Sequence, residues 1–399
     1  METVKGFRNI FPPESLKRKK IMGVIEEQFR AYGFLPIETP SIEFDKLLTS
    51  ESEETAAVSD RFRLRDRGGR KLGLRYEFTV QLSRIFKENP NIKLPFRRYQ
   101  IGSVFRDEAL KPGKYKEFVQ ADGDIIGDSS INADAECVAV ANSVLSELNI
   151  KAEIVVNNKK LLNSILSNAG VKSNNQQVLR EIDKLDKLSE KEVKGNLSKI
   201  LKKDQIKKIF ILIKRDLGYF LKNKFEGAEE IKELQDLGKI YGYKIKFMPN
   251  IVRGFGYYTG NIWEIWAKDM DIALGGGGRY DEKVGKYVNR KLPAVGISFG
   301  KLLDYPNVES AEGIKVVLIS IGKDKDSLKI LKDLRKNQIS SLMFSGKISK
   351  SLDYANSYKV PYVLFLGKDE VKKKKVKLRD MKTGKEKLVA VNNLKSLLR

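Results

Sequence analysis

Residues Lys93 to Asp128 read KLPFRRYQIGSVFRDEALKPGKYKEFVQADGDIIGD. β-Prone runs at Phe96 to Ile101, Phe118 to Gln120 and Asp124 to Ile126 flank a turn-rich loop centred on Lys111-Pro112-Gly113, which predicts a long antiparallel hairpin. Ser103-Val104-Phe105-Arg106-Asp107-Glu108 opens the loop and Phe118-Val119-Gln120 closes it. Residues two apart on a strand share a face, so Arg106, Glu108 and Phe118 are expected on one side of the pair. That side suits a nucleotide. Arg106 can hold a phosphate in a charge-assisted fork, Phe118 can stack on a base, and Glu108 can accept from an exocyclic amine or orient the loop. The same three residues also fit a surface ion pair on an ordinary hairpin, and the pattern alone leaves both readings open.

Upstream, Phe11-Pro12-Pro13-Glu14 precedes a helix in which Ile21, Val24, Ile25 and Phe29 recur at helical spacing, ending near Gly33. A Pro-flanked extended piece, Leu35 to Pro40, and a charged hairpin-like stretch, Arg61 to Lys71 broken at Gly68-Gly69, read as irregular antiparallel strands. Residues 151–245 change character, with a short strand at Glu153 to Val156 and then helical segments rich in Lys, Glu and Leu, such as Gln177 to Leu188 and Asp204 to Lys214. Strand and glycine signals resume at Ile251 to Ile265 and at Gly275 to Gly278. The reading is one domain, residues 1–150 and 246–310, interrupted by a mostly helical insertion, 151–245. Residues 312–399 alternate strand and helix (Lys315 to Ile321, Ser327 to Asn337, Ser340 to Phe344, Ser349 to Tyr358, Tyr362 to Leu366), the signature of a small α/β domain with a parallel sheet. The fold class is therefore α+β.

The 399 residues carry 76 Lys and Arg against 52 Asp and Glu, a single cysteine and no histidine. Without His there is no Ser-His-Asp or Cys-His pair and no H-E-x-x-H zinc site, and Cys137 alone excludes an internal disulfide framework or a Cys-x-x-Cys site. Catalysis must rest on carboxylates, Arg and Lys, or metal-bound phosphate. A lone reduced thiol, the lack of an apolar run near the ~18 residues of a membrane span, and an N-terminus without a signal-peptide core point to the cytoplasm and to no membrane partner. The tail from Glu312 holds 22 Lys and Arg against 9 Asp and Glu, an asymmetry that points to nucleic acid, although the Lys372 to Lys375 run by itself reads as a solvated turn.

Phe105 to Gln120 resembles motif 2 of the class II aminoacyl-tRNA synthetases, and its continuation through Asp124-Ile125-Ile126-Gly127 resembles the histidyl-tRNA synthetase version. Leu74-Arg75-Tyr76-Glu77-Phe78-Thr79-Val80 is similar to the L-R-Y-D-L-T-V element of archaeal and eukaryotic members. Ile251-Val252-Arg253-Gly254-Phe255-Gly256-Tyr257-Tyr258-Thr259-Gly260 resembles the R-G-L-D-Y-Y-T-G histidine signature. Gly277-Gly278-Arg279-Tyr280-Asp281 and Pro293-Ala294-Val295-Gly296-Ile297-Ser298-Phe299-Gly300, the start of motif 3, follow in order, and Asp183-Lys184-Leu185-Asp186-Lys187 falls in the insertion.

The resemblance implies a class II antiparallel-sheet catalytic core with a helical insertion and a C-terminal anticodon-binding domain. It implies activation of L-histidine by ATP with Mg²⁺ and transfer to tRNA(His), by a homodimer with the helix from Glu14 and the strand around Pro40 at its interface. Catalytic roles fall to Arg106 and Arg253. ATP contacts fall to Arg106, Glu108, Lys114 and Phe118, and histidine contacts to Glu77, Thr79, Gln120, Asp124, Arg253, Tyr257 and Tyr258, with no protein metal ligands assigned. Activation by in-line attack on a phosphate needs clamps and positioning, which a protein without histidine can supply. Three positions depart from the pattern. Leu303 stands where an arginine clamps the ATP γ-phosphate, with Lys301 placed by helical geometry to point away from it. Lys114 replaces a loop arginine and Gly256 replaces the aspartate of the histidine signature. These departures frame an alternative, a catalytically weak or inactive paralogue that binds histidine or tRNA in a regulatory role.

Overall fold

The computed structural model describes residues 1–49, 60–111, 113–252, 256–270, 272–288, 290–311 and 313–398. Its strands in chain order are β1 (Leu35–Pro36), β2 (Ile42–Phe44), β3 (Arg63–Arg65), β4 (Lys71–Leu74), β5 (Phe96–Phe105), β6 (Glu117–Ile126), β7 (Ala152–Asn158), β8 (Ile245–Phe247), β9 (Asn261–Ala267), β10 (Ala273–Arg279), β11 (Ala294–Phe299), β12 (Val316–Ser320), β13 (Ser341–Ser345), β14 (Tyr362–Leu366), β15 (Lys375–Asp380) and β16 (Glu386–Ala390). Two units divide them, Met1–Asn9 with Lys20–Val308 and Ile10–Lys19 with Glu309–Arg399.

The first unit is built on an eight-stranded sheet in the order β1-β5-β6-β11-β10-β9-β7-β8. The hairpin β5–β6 takes its second and third places, antiparallel from Phe105 opposite Glu117 to Phe96 opposite Ile126. Parallel pairs occur only at the two ends, β1 with β5 and β7 with β8. The pleat sorts β6 by parity: Phe118, Gln120, Asp122 and Asp124 line an open cleft, while Ala121 and Ile125 are buried in the core. A β-carbon on Gly123 would collide with the ring of Phe29, so this glycine lets the helix Glu14–Ala31 approach the sheet. Phe29 stacks on Tyr99 at 5.4 Å, and Ile21 and Ile25 bury fully beside it. Each such fully buried side chain contributes about 1.5–3 kcal/mol. The helix Ile131–Glu147 adds Ala133, Val138, Val140 and Val144 to the same core.

Between β7 and β8 run six helices: Lys159–Asn168, Asn175–Asp183, Glu190–Leu197, Lys203–Leu212, Leu217–Lys222 and Ala228–Ile240. Ser189 and Glu192 close a capping box at the start of the third, with Ser189 N donating to Glu192 Oε2 at 2.9 Å. The strand read at Glu153 to Val156 together with the insertion pairs with β9 and so belongs to the large sheet. The glycine run 275–278 lies within β10, with one register shift between Ala273 and Gly275. The charged stretch Arg61 to Lys71 contributes β3 and the start of β4 to a small sheet in the order β2-β4-β3.

The second unit carries a five-stranded sheet in the order β13-β12-β14-β15-β16. β12 pairs in parallel with β13 and β14, but β15 and β16 are antiparallel, so the sheet is mixed rather than parallel throughout. The reason lies in the lysine-rich end of the chain. Val376 and Leu378 alternate inward between Lys375, Lys377 and Arg379, a half-buried strand whose charge hides its period. Asp380 then accepts from Lys382 N and Thr383 N at 2.9 and 2.8 Å, closing the turn into β16.

Candidate active site

The site residues named from the sequence lie far apart along the chain, and those among the described residues line one cleft of about 430 Å³ on the open face of the large sheet: Glu77, Thr79, Arg106, Glu108, Lys114, Phe118, Gln120, Asp124, Tyr257 and Tyr258. Arg253 lies outside the described residues.

One end of the cleft is acidic and buried. Asp124 sits opposite Arg98 in the β5–β6 register, and their charges meet at 2.5 Å with both side chains withdrawn from solvent. The Tyr280 hydroxyl donates to Asp124 Oδ1. Burial raises the Asp124 carboxyl above its usual range, and the adjoining Arg98 charge pulls it back toward the anion. Two residues earlier on the same face, Asp122 accepts both of its oxygens' bonds from Gln120 Nε2 at 3.0 and 2.8 Å. Burial, opposed by Arg98 and reinforced by Asp124, pushes Asp122 up to about 7. The floor is glycine for a reason of space. A β-carbon on Gly296 would collide with Asp124, and one on Gly277 with the Gly296 carbonyl.

Glu77 is buried beside this end, where Val80 N donates to its Oε1 at 2.7 Å and starts the helix Val80–Glu88. Lys283 Nζ lies 3.4 Å from the same oxygen and 3.7 Å from the centre of the Tyr257 ring, a buried cation that ties the carboxylate to the aromatic. The Tyr257 and Tyr258 rings are 4.8 Å apart. Arg279, just before Tyr280, anchors the end of β10 by pairing with buried Asp134 and donating to the Ser130 carbonyl at 2.8 Å. The side chain of Gln176, from the helical insertion, fills the space in which a β-carbon on Gly256 would sit.

The other end is basic. Arg106 Nε donates to the Tyr76 carbonyl at 3.1 Å, which fixes the guanidinium 5.1 Å from the centre of the Phe118 ring. Glu108 pairs with Lys114 at 2.7 Å, so the loop lysine is held across the loop rather than extended into solvent. Beyond β11, Leu302–Asp304 forms a single 3₁₀ turn. Leu303 is buried at 1% exposure, whereas Lys301 and Asp304 line the cleft. Lys301 and Leu303 point apart as the turn spacing implies, but it is Lys301 that faces the cleft and position 303 that enters the core.

Asp122, Ser298, Tyr280 and Asp304 line the cleft without having been given a role from the sequence, and Arg98 and Lys283 stand behind it. Once the loop fixes Phe105 opposite Glu117, counting along the hairpin gives Arg98 opposite Asp124, so that pair was available from the sequence. Lys283 carried no such signal.

An acidic pocket opening into a basic mouth, on a largely antiparallel sheet with a helical excursion, is what the resemblance to the class II aminoacyl-tRNA synthetases implies. The family profile described as Histidyl-tRNA synthetase matches residues 6–301, and that described as Anticodon binding domain matches 315–399. The chain belongs to the histidyl-tRNA synthetase family. It is 33% identical to Histidine--tRNA ligase 1 of Bacillus cereus, over 100% of this chain and 99% of that one. It is 34% identical to Histidine--tRNA ligase of Wolinella succinogenes, over 96% and 95%. The crystal structure of histidyl-tRNA synthetase from Nostoc sp. superposes with a TM-score of 0.87 at 25% identity, over 100% of this chain and 98% of that one.

Proposed function

We propose that this chain is a histidine--tRNA ligase that activates L-histidine with ATP and transfers it to tRNA(His). The observation that carries the reading is the single cleft in which Asp124, Glu77 and the tyrosines at one end meet Arg106, Phe118 and Lys114 at the other. A match to a curated ligase over 100% of this chain and 99% of that one, and a match to the anticodon-binding family over residues 315–399, favour the ligase over a binding-only paralogue.

The chemistry follows from that polarity. Phe118 offers its ring to adenine and Arg106 its guanidinium to the α-phosphate. Glu77 takes the histidine α-ammonium with Thr79 and Gln120, while Asp124 and Tyr258 read the imidazole. A pocket built of polar groups rejects side chains that leave those groups unpaired. A histidine carboxylate oxygen attacks the α-phosphorus, and the bond from that phosphorus to the pyrophosphate oxygen breaks in line. Arg106, and Arg253 from the histidine signature, stabilise the charge that develops. The 3′-terminal ribose hydroxyl of the tRNA then attacks the carbonyl carbon and AMP leaves, its phosphate oxygen taking the proton. No step needs a protein histidine. Mg²⁺ would be carried on the triphosphate, and Glu108, paired with Lys114 in the basic loop, would offer it a carboxylate oxygen.

The basic second unit binds the tRNA anticodon. The chain works as a homodimer, for which Ile42 and Phe44 on β2 and Leu64 on β3 present exposed apolar side chains on the small sheet. Among the described residues no helix is long and apolar enough to cross a membrane, and we place the enzyme in the cytoplasm. Charging of tRNA by the purified protein, with each amino acid in turn, tests the reading: histidine alone should be attached.

A further inference from the structure

We propose that Arg8, on the N-terminal segment, holds the outer phosphates of ATP at the mouth of the cleft; the inference rests on the nucleotide reading above. The turn after β11 sends Leu302 and Leu303 into the core and leaves only Lys301 and Asp304 in the cleft. No guanidinium comes from that turn. Lys114 is already paired with Glu108 at 2.7 Å, and Lys301 is a point charge on a flexible stem. A carboxylate at this place, Asp304, would by itself repel a triphosphate.

Arg8 resolves the contradiction. Its Nη2 lies 2.6 Å from Asp304 Oδ1, and its guanidinium carbon lies 3.7 Å from the centre of the Tyr115 ring, both partners being cleft residues. Pairing and ring contact fix the plane of the guanidinium in two independent ways. No described residue hydrogen-bonds its Nε or Nη1, and the side chain is 28% exposed, so one edge of the fork stays open. The segment that carries it is not a loose tail. Lys116 N donates to the Gly6 carbonyl at 2.9 Å, and the Phe7 and Phe62 rings lie 6.0 Å apart. Gly6 has φ +93°, and a β-carbon there would press on the Lys116 side chain at 2.7 Å, so the segment is fitted to the phosphate-binding loop. Asp304 thus aims a guanidinium that arrives from the opposite end of the domain sequence.

Calorimetric titration of the full chain with ATP and with AMP, at fixed Mg²⁺, tests this. Arg8→Ala should weaken ATP about ten- to a hundredfold, the range for hydrogen bonds to charged groups, and leave AMP binding unchanged. Arg8→Lys should recover only part of the loss. The double variant Arg8→Ala, Asp304→Asn should keep the loss. Unchanged ATP binding in Arg8→Ala overturns the proposal, as does equal weakening of ATP and AMP, which would make Arg8 a prop for the loop. Recovery in the double variant also overturns it, because Arg8 would then only neutralise Asp304. If the unaltered protein binds neither nucleotide, the nucleotide reading of the cleft fails and takes this inference with it.

Discussion

The Arg98 guanidinium and the Asp124 carboxylate stand opposite each other on neighbouring strands, 2.5 Å apart, and neither is more than 5% exposed. A buried pair of this kind adds little over an apolar pair, yet breaking it strands a charge. Arg98→Met should therefore destabilise the protein by about 3–5 kcal/mol. Adding Asp124→Leu should restore part of that stability while abolishing histidine activation. Urea unfolding of both variants measures the first effect, and an activation assay the second.

Asp122 makes the protein's stability depend on pH near neutrality. Its folded pKa of about 7 exceeds the ordinary carboxyl value of 3.8, so the folded state binds the proton more tightly. The stabilisation is complete below about pH 4 and is lost as pH rises through about 7. Asp122→Asn removes that loss. Its stability relative to the unaltered protein should improve between pH 5 and pH 8, by an amount of order 1–4 kcal/mol. Unfolding curves at the two pH values decide the matter, and a constant difference would contradict the assignment.

Glu77 is held by Val80 N and Lys283 on one oxygen, and in the proposed function its carboxylate takes the substrate ammonium. Glu77→Gln removes the charge and keeps the shape. The histidine KM should rise about tenfold or more while the ATP KM holds. Equal rises in both would mean that the substitution deforms the cleft.

Leu303→Arg looks from the sequence like a repair of the missing phosphate clamp, but position 303 is buried in the apolar core. The variant should lose stability by about 3–5 kcal/mol, the cost of an uncompensated buried charge, and gain no affinity for ATP. Thermal melting together with ATP titration checks both halves.

What the sequence yielded depended on period and order. The hairpin was legible because its two strands alternate across a Pro-Gly loop, and the parity of Phe118, Gln120 and Asp124 already put them on one face. The mixed sheet of the second unit was not legible, since lysines at alternate positions of β15 mask two inward apolar residues. Groups that act across the fold escaped for another reason. Lys283 reaches Glu77, and Arg8 reaches Asp304, over separations that no local pattern encodes. Turn spacing already sets Lys301 and position 303 on opposite sides, as they are, but no local pattern says that Lys301 faces the cleft and Leu303 the core.

The central claim is that this cleft activates histidine at the expense of ATP. Its most direct test is exchange of labelled pyrophosphate into ATP by the purified protein with and without L-histidine, alongside Arg106→Ala. Exchange should require histidine, be unsupported by the other amino acids, and disappear in the variant. Tight histidine binding with no exchange at ample ATP and Mg²⁺ would contradict it.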